Sequence, residues 1–155
     1  MWRGLLAGAA GTMALNSITY LDMLVRGRPA SRLPADTARQ FTASLGTPLG
    51  SDDEADNRAD ALGALLGYAA GSSTAVLYAF GSPGIRTLPV WTRMALVALA
   101  AMLAGNVPSI VSGITDPRKW GAEGWIADIV PHIAYGVVTV GAYEASGPLR
   151  RSRRR

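Results

Sequence analysis

The amino-acid sequence predicts an all-α fold: an integral membrane bundle of four transmembrane helices, with a short interfacial amphipathic helix in the first loop. Three observations carry that prediction. Only 17% of the 155 residues are charged, against roughly 25% in an ordinary soluble domain. The charges crowd into a few segments and leave apolar stretches of about the 20 residues that a helix needs to cross the hydrocarbon core. Trp2, Trp91, Trp120 and Trp125 all fall at the ends of those stretches, where an amphipathic indole settles at headgroup level.

The first span covers residues 5–25 (LLAGAAGTMALNSITYLDMLV). A secretory signal, with Arg3 as its basic start, is the competing reading. The apolar stretch continues past Asn16 to Val25 without a good small-residue cleavage site, which argues for a retained helix. A polar loop follows at 26–60. Within it Leu33, Thr37, Phe41 and Leu45 have helical spacing behind Pro34, with Gly46 as a stop, and this reads as an amphipathic helix at the membrane interface. Ser51 and Glu54 have capping-box spacing, and Asp52 and Asp53 suit the positive end of a helix dipole. The second membrane helix is therefore expected to start near Asp52 and to enter the bilayer at Ala61.

The second and third spans, 61–80 and 94–114, contain no charge, and the fourth, 125–143, contains Asp128 and His132. Short loops at 81–93 and 115–124 join them. Asp116 to Trp120 (DPRKW) reads as a structural turn, with Asp116 available to a neighbouring base. The chain is thus one transmembrane domain, 1–149, with a basic tail at 150–155.

Composition also excludes. The absence of cysteine rules out disulfides, thiolate metal sites and thiol catalysis. A single histidine rules out a multi-histidine metal site within one chain. With no phosphate-binding glycine loop, HExxH or nucleophile elbow, neither an enzyme nor a cofactor is expected. The net charge of +4 includes Arg150, Arg151, Arg153, Arg154 and Arg155. No aromatic interleaves them, so nucleic acid is not the expected partner. The expected partners are the lipid bilayer and either another membrane protein or a second copy of the chain.

Orientation divides the basic residues almost evenly. Arg3, Arg86, Arg93 and the tail share the side of the termini; Arg26, Arg28, Arg32, Arg39, Arg58, Arg118 and Lys119 share the other. Arg26 and Arg28, directly after the first span, favour one assignment. The dense tail favours the other, with both termini in the cytoplasm, and that assignment is preferred for a protein of the bacterial inner membrane.

Two patterns lie inside the spans. Gly63, Gly67 and Gly71 form a GxxxGxxxG series, a flat groove for another helix, either within the bundle or in a homodimer. Gly4 and Gly8, then Ala7 and Gly11, repeat the device in the first span. Asp128, His132, Tyr135 and Thr139 occupy one narrow stripe of the fourth span. Thr12, Asn16 and Thr19 form another in the first, near Asp22, while Asn106 and Ser109 are three apart in the third. Polar groups facing lipid are expensive, so these stripes should turn inward. Most lie toward the side of loops 26–60 and 115–124, and Pro108 and Pro131 free backbone carbonyls at similar depth. One reading is a ligand or proton site in a one-sided vestibule, with Asp128 and His132 as a titratable pair and Asp22, Asn16, Asn106 and Tyr135 around it. The other is a hydrogen-bond network that holds the helices together.

The stretches GLLAGAAGTMALNSITYLDM, GNVPSIVSGITDPRKW and DIVPHIAYG resemble small actinobacterial membrane proteins. More distantly, the glycine-rich opening and HIAYG are similar to the YagU-like inner-membrane proteins. The resemblance spans most of the chain outside the polar loop. It implies an inner-membrane location and a multi-helix fold, and carries over no catalytic residue. The functional expectation is a non-enzymatic accessory or assembly partner acting through helix packing. The alternative is a small transporter or proton-responsive channel built on Asp128 and His132.

Overall fold

The computed structural model describes residues 1–147; the expected basic tail at 150–155 lies outside the described residues. The described chain is all-helical. Its elements are α1 (Trp2–Arg26), α2 (Leu33–Ser44), α3 (Asp53–Ile85), α4 (Val90–Val111) and α5 (Gly121–Ala145), with a 3-10 turn at Pro117–Lys119. Three helices, α3, α4 and α5, are long and apolar enough to cross a membrane. The sequence reading gave four spans. The remaining one, α1, has the same 25 residues as α5, but Thr12, Asn16, Ser17 and Thr19 dilute its apolar character.

Element ends follow local chemistry. Gly27 closes α1 in the left-handed conformation, at φ 63°, where a side chain would be strained. Asp52 caps α3 by accepting a hydrogen bond from the Ala55 N–H at 3.0 Å. The cap is therefore Asp52 and not Ser51, whose capping-box spacing is one residue out of register. The expected loop at 81–93 is much shorter. Helix α3 runs through Pro83 to Ile85; the Ala79 carbonyl, which loses its backbone donor to the proline, accepts instead from Ser82 Oγ at 3.0 Å and the Tyr143 hydroxyl at 3.3 Å. Similarly α5 begins at Gly121, four residues before the expected span, directly after the 3-10 turn.

Helix α1 packs on α3 and α5, and α4 packs on the same two helices, its contact with α3 the slighter. One end of the molecule gathers both ends of the described chain. There Arg3 Nη2 donates to the Tyr143 carbonyl at 2.6 Å and Arg3 Nε to Ser146 Oγ at 3.2 Å. Arg93 pairs with Glu144 at the same end.

At the opposite end α2 lies against the start of α3 and touches α4. Its buried face is Ala35, Ala38 and Thr42, while Phe41 and Leu45 are exposed. The expected interfacial stripe of Leu33, Thr37, Phe41 and Leu45 is distinct from that face: Phe41 and Leu45 stay exposed, while Thr37 Oγ1 lies 2.7 Å from Ser109 Oγ of α4. Alanine wins because it lets the backbones close: Ala38, Ala55 and Ala59 are fully buried, and the Gly63 Cα faces the Pro34 carbonyl so tightly that an added Cβ would sit 2.8 Å from its oxygen.

The side-chain distribution is the reverse of a soluble core. The buried residues are dominated by alanine, threonine and serine, with only Tyr78, Val97, Tyr135 and Val140 larger. Leu24, Leu77 and Phe80 are 79%, 71% and 70% exposed. A soluble protein buries such residues first; in lipid, helices associate through small residues and turn the large apolar ones outward.

Candidate functional site

The polar residues of α5 form a ladder down its inner face. Near its start Asp128 meets α4: Asn106 Nδ2 donates to Asp128 Oδ2 at 2.8 Å. One turn on, His132 Nδ1 lies 2.7 Å from the Asp128 carbonyl oxygen and 3.5 Å from Asp128 Oδ1. A carbonyl only accepts, so Nδ1 is the donor in this contact. The two side chains are 18% and 15% exposed. His132 borders a groove of about 190 Å³ between α4 and α5, lined also by Ala98, Leu99, Met102 and Ile133.

One turn further in, Tyr135 is buried and its hydroxyl donates to the Gly71 carbonyl of α3 at 2.5 Å. Gly71 is required at that point. A Cβ there would collide with Thr12 Oγ1 and come within 3.3 Å of the Tyr135 ring. Gly11 of α1 is held just as closely against Thr139 and Tyr135. Thr139 is fully buried, with no hydrogen-bond partner for its hydroxyl.

Three expected members lie elsewhere. Asp22 belongs to a separate cluster, accepting from Arg26 Nε at 2.6 Å and Arg28 Nε at 2.5 Å. It sits one turn from the end of α1, where two arginines within six residues outcompete any partner on α5. Asn16 reaches Tyr68 of α3 at 3.5 Å, not the Asp128 pair. Gly67 is exposed, and a Cβ there would meet nothing within 4 Å. The glycine series is real at both ends only: Gly63 faces α2, Gly71 faces α1 and α5, and Gly67 falls at a level where no neighbour closes in.

A second polar layer went unread in the sequence. At the end carrying Arg3, the rings of Tyr78 and Tyr143 meet edge-to-face at 5.3 Å. The Arg3 guanidinium lies 4.5 Å from the centre of the Tyr143 ring. Ser82 Oγ and the Tyr143 hydroxyl are 3.3 Å apart. Two signals existed for it. Tyr143 extends the Tyr135–Thr139 stripe by one more step of four, and Glu144 is the one acid placed on the side of the termini.

In the other loop Asp116 accepts from the Arg118 backbone N–H at 3.0 Å, so it is a turn residue and not a partner for a basic side chain. Trp120 Nε1 donates to Thr115 Oγ1 at 2.7 Å, and the Trp120 ring meets that of Trp125 at a 54° tilt with centroids 5.0 Å apart. Asp128, His132, Asn106 and Tyr135 are therefore the candidate site. It offers a carboxyl held by an amide beside an imidazole nitrogen. The chain matches no protein-family model, and neither curated proteins nor solved structures show a significant similarity to it.

Proposed function

We propose that the protein is a membrane-embedded accessory or assembly partner, non-enzymatic, with α1 as a fourth span beside α3, α4 and α5. The observation that carries the membrane half is the inverted distribution of side chains, small inside and large apolar outside. A water-facing surface of that kind would aggregate; a lipid-facing one is at rest. Helix α1 joins the spans because it has no charge between Arg3 and Asp22, and three of its hydroxyls are turned to its own carbonyls. Thr12, Ser17 and Thr19 each donate one turn back. The accessory half is carried by where the α5 polar groups go. Asp128 and Tyr135 are engaged in bonds between helices, which serve packing.

Four antiparallel spans put both ends of the described chain on one face, in keeping with the Arg3–Tyr143 contact. Single cysteines at Ser44 and Lys119 should label from one side of sealed membrane vesicles and a cysteine at Thr87 from the other, with no background from a chain that lacks cysteine. Ser44 and Thr87 labelling together would mean that the span count is wrong. The same vesicles washed in alkaline carbonate should retain the protein.

Purification in mild detergent with a mass measurement tests the accessory role. A stable complex with a different membrane protein is expected. A homogeneous monomer, from membranes in which every candidate partner is present, would overturn it. One observation favours the second reading, a small transporter or proton-responsive channel: His132 is not sealed inside but borders the α4–α5 groove. Transport in proteoliposomes that disappears in His132→Ala, with stability unchanged, would move the assignment to it.

A further inference from the structure

A second groove runs between α3 and α4, where their packing is slight. It has a volume of about 310 Å³ and is walled by Thr74, Tyr78, Gly81 and Ile85 of α3 with Val97 and Ala104 of α4. From Thr74 to Ile85 it extends roughly 16 Å at the helical rise of 1.5 Å per residue. That is about half of a ~30 Å hydrocarbon core, the depth of one leaflet. The groove ends at Ile85, and Arg86 follows as the exposed C-terminal cap of α3. Arg86 takes part in no ion pair among the described residues. Trp91, 69% exposed, stands at the same end.

We infer that this groove holds one acyl chain of an anionic phospholipid, with its phosphate headgroup at Arg86. The length argues for a lipid tail, because the groove covers one leaflet and stops where headgroups begin. The charge argues for an anionic head, because Arg93 is matched by Glu144 while Arg86 is left over. A basic group between helix ends at the membrane surface attracts anionic headgroups by about 1 kcal/mol, or roughly fivefold. Apart from Thr74 and Tyr78, the groove is lined by apolar residues and Gly81. Mostly apolar walls with a few polar groups are the usual make-up of a ligand groove. A transmembrane helix of a partner would need a longer face than one leaflet.

The inference rests on the membrane reading above, and the carbonate wash tests that reading separately. Protein purified in mild detergent is mixed with phosphatidylglycerol and phosphatidylcholine of identical acyl chains, and bound lipid is counted by native mass spectrometry. The wild type should retain one phosphatidylglycerol per chain and favour it over phosphatidylcholine about fivefold. Gly81→Leu should lose both lipids, since a Cβ at Gly81 meets nothing within 4 Å and the new side chain fills the groove without shifting the helices. Arg86→Gln should keep a lipid but lose the preference. Unchanged helical circular dichroism in both variants establishes that they are folded. Equal retention of the two lipids by the wild type, or wild-type retention by folded Gly81→Leu, would overturn the proposal.

Discussion

Gly71→Leu will prevent the helices from assembling, and Gly67→Leu, one turn away in the same series, will leave the protein intact. At Gly71 the first added carbon already collides with Thr12, and the rest of a leucine has to displace the Tyr135 ring. Overpacking a close-packed site costs about 1–3 kcal/mol and more where backbone must move. Here α1, α3 and α5 meet at one point, and the change also disturbs the Tyr135 bond to the Gly71 carbonyl. Thermal unfolding in detergent, followed by circular dichroism, should show Gly71→Leu unfolded or strongly shifted downward. Gly67→Leu should unfold within about 0.5 kcal/mol of the wild type, as surface changes do. Equal damage by both would mean that another molecule covers Gly67.

Asn106→Leu will destabilise the protein by about 1–3 kcal/mol, the cost of leaving a buried polar group without its partner. It strips the only donor that α4 gives to Asp128. Asp128→Leu strands the amide of Asn106 in the same way. The double variant should be less damaged than the two single changes added together, because both partners are then apolar and nothing is stranded. The cycle is measured by thermal unfolding in detergent. Strict additivity would show that the two residues do not interact. Asp128→Asn keeps an acceptor in place and should remain closer to the wild type than Asp128→Leu.

Helical class, the polar stripe of α5 and the Asn106–Asp128 link were legible because each rests on one local rule. Periodicity of 3.6 puts Asp128, His132, Tyr135 and Thr139 on one face, and the cost of polar groups in lipid turns that face inward. What escaped depended on which helix passes at which level. Gly63, Gly67 and Gly71 look equivalent along the chain, yet only two have a neighbour. Asp22 and Asp128 were grouped by depth, but two nearby arginines claim the first. The side of α2 that meets α3 escaped for a related reason. Apolar periodicity marks Leu33, Phe41 and Leu45, whereas alanines let helices touch, and Ala35 and Ala38 are the packed residues. The Tyr78–Tyr143 layer was hidden because Arg3, Tyr78 and Tyr143 come from the start, middle and end of the sequence.

The meeting of α1 with α5 has a consequence for biogenesis. Helix α1 is synthesised first, yet α5, one of the two helices it packs against, is synthesised last. A ribosome adding about 5–20 residues per second needs on the order of ten seconds to produce the chain between them. Throughout that interval Gly11 lacks the Tyr135 and Thr139 surface that will cover it. The insertion machinery therefore handles a first helix with an uncovered small-residue face and three threonine or serine hydroxyls bonded to its own backbone. Those internal bonds let α1 wait in lipid without seeking a partner. The Arg3 clasp on Tyr143 can close only after α5 has emerged, so among the described helices it is a late latch.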